Sequence, residues 1–257
     1  MSTSNEGPGG PPDAAHISTL VEEWAKTRAA DPRRATVLDL YRFAAGQCGV
    51  TPQELSVSER RDLARAAMTH VWPAFEMTST SERDDQLQLC GYAADWPDHY
   101  TKWRAKITSA LGDTARRIEH VGSTSVPGMC AKPIIDIQIS VDSLADEEQY
   151  VPALAKIGAQ LRSRDDLHRY FRPFVGQPRE FHIHVCEVGS GWERDHLLFR
   201  DYLRTHSDAR DAYARAKQAA LRDWPDDWWG YTDAKTDVIV TILERAQRWA
   251  DTSGWRL

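Results

Sequence analysis

Residues 134–141 read Ile-Ile-Asp-Ile-Gln-Ile-Ser-Val. On a strand, that alternation puts Ile135, Ile137, Ile139 and Val141 on one face and Asp136, Gln138 and Ser140 on the other. A carboxylate in so apolar a strand is costly unless it is paired, hydrated or bound to a cation. The competing expectation is an edge strand whose polar face meets water. Just upstream, Glu119-His120-Val121 runs into Gly122-Ser123-Thr124-Ser125, a strand turning into a loop of small residues. Backbone amides in such loops, with Ser and Thr hydroxyls, can cradle phosphate oxygens, and Gly lets the backbone approach a ligand closely. Further on, Phe181, Ile183 and Val185 alternate with His182, His184 and Cys186. Both histidines then share one face, the arrangement expected if they meet Asp136 across a sheet. Imidazole could ligate a transition metal, hold a phosphate when protonated, or move a proton.

Basic residues concentrate at Lys156, Arg162, Arg164, Arg169, Arg172 and Arg179, against Asp165 and Asp166. Guanidinium forks suit phosphate or carboxylate ligands. Arg169 and Arg172 flank Tyr170-Phe171, which reads as an anion site with an aromatic wall; the bland alternative is a solvated charged loop. Lys132 and Lys235 are further candidates for anion binding. Arg200 either reaches the same cleft or pairs with its neighbour Asp201.

The elements that must position these side chains follow from periodicity and punctuation. Residues 1–15, rich in Gly and Pro, read as a flexible tail. Residues 16–75 form a small helical module: Ile17, Leu20, Val21 and Trp24 recur at helical spacing, as do Val37, Leu38, Tyr41 and Ala45. Thr51 with Glu54 and Ser56 with Glu59 are capping-box patterns. The Arg33-Arg34 and Arg60-Arg61 pairs of this module offer a contact for an acidic protein partner, or are simply solvated charge. Residues 76–88 read as a linker. From 89 to 257, strands at 117–121, 134–141 and 181–188 alternate with helices near 99–111, 146–158, 193–206, 208–222 and 233–250, which implies an α/β (α+β) domain with a mixed sheet flanked by helices.

The 257 residues carry a formal charge of −6, which gives no pull toward nucleic acid or an anionic membrane. No apolar run is long enough to cross a bilayer, and the N-terminus has no apolar signal region. Four scattered cysteines, Cys48, Cys90, Cys130 and Cys186, fit reduced thiols, and a cytoplasmic location is the expectation.

The run IEHVGSTSVPGMCAKPIIDIQISV at 118–141 resembles the hallmark of the GrpB family, relatives of the nucleotidyltransferase superfamily. Tyr92-Ala93-Ala94-Asp95-Trp96-Pro97, Phe181–Val185, Leu198–Leu203 and Tyr231–Lys235 match in the same order; the helical module lies outside. The resemblance implies a nucleotidyltransferase-like fold. In that superfamily a Gly-Ser turn presents a nucleoside triphosphate, and two acids spaced i, i+2 on the next strand hold Mg²⁺ or Mn²⁺. Transferred to this chain, Gly122, Ser123, Thr124, Ser125, Lys132, Arg169, Arg172 and Lys235 would bind the nucleotide (ATP in the first instance). Asp136, Gln138 and His184 would hold the metal, and Asp136, His182 and His184 would act in catalysis on a small-molecule acceptor. The chain departs from the pattern at Gln138, an amide where the second acid stands. A catalytically silent nucleotide-binding, anion-binding or partner-binding module is the alternative.

Overall fold

The computed structural model describes residues 14–30, 37–51, 54–56, 59–60, 62–63, 66, 76–77, 88–164, 167–225 and 228–257. The chain divides into two compact units, Met1–Pro73 and Ala74–Leu257.

In the first unit, α1 (Ala14–Ala30) and α2 (Val37–Gln47) pack on each other. Ile17, Leu20, Val21 and Trp24 are buried on α1, as are Tyr41 and Ala45 on α2, while the side chains of Val37 and Leu38 lie outside the described residues. Glu59 accepts from the backbone N–H of Ser56, and Ser56 Oγ accepts from that of Glu59, completing a capping box. Arg60 is buried and donates to the carbonyl of Leu55. It is therefore an internal brace, which removes it as a partner contact. Arg33, Arg34 and Arg61 lie outside the described residues, as does the tail up to residue 13.

The second unit is a six-stranded mixed sheet with helices on both faces. Its elements are β1 (Glu76–Met77), α3 (Trp96–Leu111), β2 (Arg117–Val121), β3 (Ile135–Val141), α4 (Glu147–Lys156), β4 (Ala159–Arg164), β5 (His168–Pro173), β6 (Phe181–Glu187), α5 (Gly191–Thr205), α6 (Ser207–Asp223), α7 (Trp228–Asp233) and α8 (Thr236–Ser253). The spatial order is β1-β4-β5-β6-β3-β2, with only the β3–β6 pair parallel. The α3 helix starts earlier than its apolar spacing indicates, because Pro97 is well tolerated in the first turn. The segment read as a linker contributes β1, paired to β4, while residues 78–87 lie outside the described residues.

Two strands, β4 and β5, occupy the stretch read as a basic cluster. Their inward residues are apolar (Ala159, Leu161, Phe171, Pro173), and arginines hide the period-two pattern. Arg164 and Arg169 both donate to Glu147 on α4, which turns a run of like charge into an ion-pair network along one face.

That face is the core. Ile135, Ile137 and Ile139 join Ile183, Val185, Phe171 and Leu161 beneath Ile107 and Leu111 of α3 and Tyr150 and Leu154 of α4. The other face of β3 is not an edge: Gln138 and Ser140 have no solvent exposure. Here Glu193 of α5, also buried, accepts from Ser140 Oγ and from the backbone N–H of Gly189. Ser190 caps α5 by accepting from the Glu193 N–H. Val126 of the 122–128 loop and Met129 just after it are fully buried among Leu198, Tyr202, Tyr213, Ile242 and Ala246. Each such side chain contributes about 1.5–3 kcal/mol on burial, enough to pin the loop to α5, α6 and α8.

Glu193→Ala takes the carboxylate acceptor from the buried Ser140 hydroxyl and from the Gly189 amide of the turn before α5. The expected loss is about 3 kcal/mol of unfolding free energy, read from urea titrations. A loss below about 0.5 kcal/mol, the usual surface effect, would contradict this account of how α5 is anchored.

Candidate functional site

The sheet register builds the site. Asp136 stands directly opposite His182, and Gln138 opposite His184, on the parallel pair β3–β6. Tyr170 of β5 lies opposite His184 in turn. Pairing keeps these residues on one face, so the period-two reading of Asp136, His182 and His184 holds in three dimensions.

Gly122 closes the site from the loop side. Its φ of +67° suits a residue without a side chain, and a Cβ placed there would lie 2.2 Å from Asp136 Oδ2. The carboxylate occupies the space that any other residue at 122 would fill. Asp136 Oδ1 faces the imidazoles: His182 Nδ1 is 3.0 Å away and His184 Nε2 4.0 Å. Arg179 Nε donates to His182 Nε2, which places the His182 proton on Nδ1 and makes that atom the donor to Asp136. Burial pushes the pKa of His182 down and that of His184 well down. Both rings are therefore neutral near pH 7, which leaves metal ligation or proton transfer as their chemistry and sets aside binding phosphate as imidazolium. Tyr170, His168 and Trp192 stack around His184.

Beyond the loop lies a cationic cluster. Lys217 of α6, 2% exposed, donates to Ser123 Oγ and to the carbonyl of Cys130. Lys132 and Lys235 both sit over the Tyr231 ring, with Nζ 4.5 and 4.0 Å from its centroid. Burial lowers Lys132 and Lys217 to about 8. Burial together with the two neighbouring ammonium groups takes Lys235 to about 7, against the pull of Asp136.

Of the expected loop ligands, Ser123 alone turns its hydroxyl to a lysine. Thr124 Oγ1 donates to the Ile134 carbonyl and Ser125 Oγ to the Gly122 carbonyl. Both are buried, so they shape the turn rather than offer hydroxyls to a phosphate. Arg172 stays on the site face, where its Nε donates to the Tyr170 hydroxyl and its charge is felt at His182 and Lys132. Arg169 does not join the site: it projects from the opposite face and pairs with Glu147. Arg200 braces the β2 edge, donating to Glu119 and Asp201.

Sequence reading missed Lys217 and Tyr231 as parts of this site, and named Arg179 only within the basic cluster, as an anion ligand rather than as the partner of His182. A signal existed for the first. Ala209, Tyr213 and Ala220 form the buried stripe of α6, and Lys217 falls on the same stripe at i+4 from Tyr213, an unusual place for a solvated lysine.

Asp136, His182 and His184 present ligand atoms all within 4.8 Å of one another; with both His182 nitrogens engaged, Asp136 and His184 are the open donors that fit a divalent cation, and the fully buried Gln138 beside them has both amide atoms without a hydrogen-bond partner among the described residues. The family model for GrpB protein matches residues 86–245. The chain belongs to the GrpB family. A UPF0157 protein of Streptomyces coelicolor is 42% identical over 161 residues, covering 63% of this chain and 84% of the relative. The crystal structure of the conserved protein GrpB from Enterococcus faecalis superposes with a TM-score of 0.58 at 26% identity, over 63% of this chain and 98% of that one. A longer relative from Mycobacterium leprae carries the name dephospho-CoA kinase; it is 31% identical over 182 residues, 60% of this chain but 44% of its own length. The GrpB match leaves the first helical unit outside. Among the described residues no helix is long and apolar enough to cross a membrane, and all four cysteines are free thiols.

Because Lys132, Lys217 and Lys235 are partly neutral near pH 8, an anion that binds them must draw protons from solution. Sulfate, which does not titrate in this range, is expected to bind more weakly as pH rises from about 7 to 9, with proton uptake visible as a buffer-dependent heat in calorimetry. An affinity that is flat across that window, with no buffer dependence, would contradict the cluster.

Proposed function

We propose that the GrpB domain binds a nucleoside triphosphate, ATP in the first instance, and transfers its nucleotidyl group to a small-molecule acceptor with the help of a divalent cation. The observation that carries this reading is the convergence of Lys132, Lys217 and Lys235 with Ser123 beside a single carboxylate, Asp136. One buried and two half-buried lysines facing one acid suit an anion of several charges, and a triphosphate supplies it.

The phosphates lie on Ser123 and the lysines, with Arg172 at the far wall. Asp136, His184 and the Gln138 amide oxygen would hold Mg²⁺ or Mn²⁺, which would neutralise phosphate charge when bound. His182, its tautomer set by Arg179, keeps the Asp136 carboxylate oriented. The acceptor's oxygen or nitrogen bonds the α-phosphorus as the bond to pyrophosphate breaks, any proton on the acceptor passes to water, and the lysines stabilise the charge that gathers on the leaving group. Catalysis is then mainly positioning and electrostatics, as in other nucleotidyltransferase-like folds. A phosphate-bearing ligand also agrees with the name of the mycobacterial relative, although its kinase reaction belongs to a longer protein. The free thiols fit a cytoplasmic setting, and the helical unit offers a surface for a protein partner.

The second reading, binding without turnover, is favoured by Gln138 standing where a second acid would complete a metal pair. Thermal shifts separate the possibilities. With ATP and Mg²⁺ or Mn²⁺ at a hundredfold above Kd, the wild type is expected to gain about 2.7 kcal/mol. Lys217→Met should lose most of that gain, and Asp136→Ala should lose its metal-dependent part. Equal responses from all three proteins would remove the site. Pyrophosphate release across an acceptor panel then distinguishes an enzyme from a silent binder.

A further inference from the structure

The donor atoms around Asp136 are not equivalent. His182 is committed on both sides: Arg179 donates to Nε2, and Nδ1 donates to Asp136 Oδ1. It serves the carboxylate and is no open ligand. His184 has the opposite character. Its Nε2 faces Asp136 Oδ1 at 4.0 Å, and its Nδ1 has no hydrogen-bond partner among the described residues. Directly across from it, the fully buried Gln138 leaves both amide atoms unpartnered. Nδ1 carries the ring proton and leaves Nε2 as the ligand atom, while an amide such as that of Gln138 is rarely left unsatisfied and an ion's water shell engages it.

We infer that Asp136 and His184 hold a resident transition-metal ion of the Mn²⁺, Co²⁺, Zn²⁺ class, which binds without nucleotide, and that Arg179 and His182 position Asp136 for it. The inference rests on Asp136 being the cation-facing acid of the proposed function. It goes further in naming the class of ion and in making its binding independent of phosphate. Mg²⁺ prefers oxygen ligands and keeps its waters, whereas an imidazole nitrogen favours the later first-row ions. A second carboxylate at position 138 would have suited Mg²⁺. This chain puts a neutral amide there and an imidazole opposite it. Trp192 and Tyr170 pack against the His184 ring and hold its orientation.

The test is a titration of metal-free, full-length protein with Co²⁺ in the absence of nucleotide, read by d–d absorption and by Tm. The expected result is one Co²⁺ per chain, bound at least about tenfold more tightly than Mg²⁺. His184→Asp, which creates an oxygen pair, should reverse that preference; His184→Asn, read the same way, serves if the first variant does not fold. His182→Gln should weaken Co²⁺ binding while leaving the absorption band where it was, because His182 orients the ligand and does not touch the ion. Equal Co²⁺ and Mg²⁺ affinities in the wild type, or an unchanged preference in the His184 variants, would overturn the inference. Co²⁺ binding with no response to any triphosphate would leave this inference standing and remove the nucleotide reading instead.

Discussion

A carboxylate has to be held against an interior sheet, and much of the domain is arranged around that demand. Asp136 projects from an inner strand whose other face is solid core, and only 27% of its side chain meets solvent. One of its oxygens lies where a side chain at 122 would be, and the other takes a proton donated by His182. The turn at Gly122 exists in this form because the acid needs the room. The loop that follows is nailed down by Val126 and Met129, and Arg204 donates to the Ser125 carbonyl, so the turn cannot drift away from the acid. Strand pairing, loop conformation and helix packing all bear on one functional group.

Charge is distributed with the same economy. Several partly buried charges are paired: Glu147 with Arg164 and Arg169, and Glu119 and Asp201 with Arg200. Around Tyr231 the pattern is different. There the lysines crowd together with their pKa values pulled down, a state that costs stability and that proteins retain where an anion offsets it. The helices after β6 thus do two jobs. They cover the polar face of the sheet through Glu193, and they deliver Lys217 and Lys235 to the mouth of the 122–128 turn.

Much of this was legible in the residues. The alternation in β2, β3 and β6 gave those strands nearly to the residue and placed Asp136, His182 and His184 on one face. Local pattern sufficed there because the strands are apolar on one side and carry their polar residues in register. It failed at β4 and β5, where arginines occupy strand positions and find their partner in Glu147, on a helix distant in sequence. The same long-range pairing is why Arg169 looked like a ligand and is not one. Thr124 and Ser125 looked like phosphate-binding hydroxyls, and nothing local announces that carbonyls of the turn and of Ile134 take them up. Lys217 was the reverse case: its place on a buried helix stripe was visible, but what it would face was not.

The central claim is that the lysine cluster and Asp136 form one site, with phosphate at the first and a metal ion at the second. A crystal structure with Mn²⁺ and a non-hydrolysable triphosphate analogue tests it most directly. The account predicts an anomalous peak about 2.2 Å from an Asp136 oxygen and from His184 Nε2, with the phosphate chain running over Ser123 to Lys217 and Lys235. Phosphates bound elsewhere, or a metal peak that avoids Asp136, would contradict it.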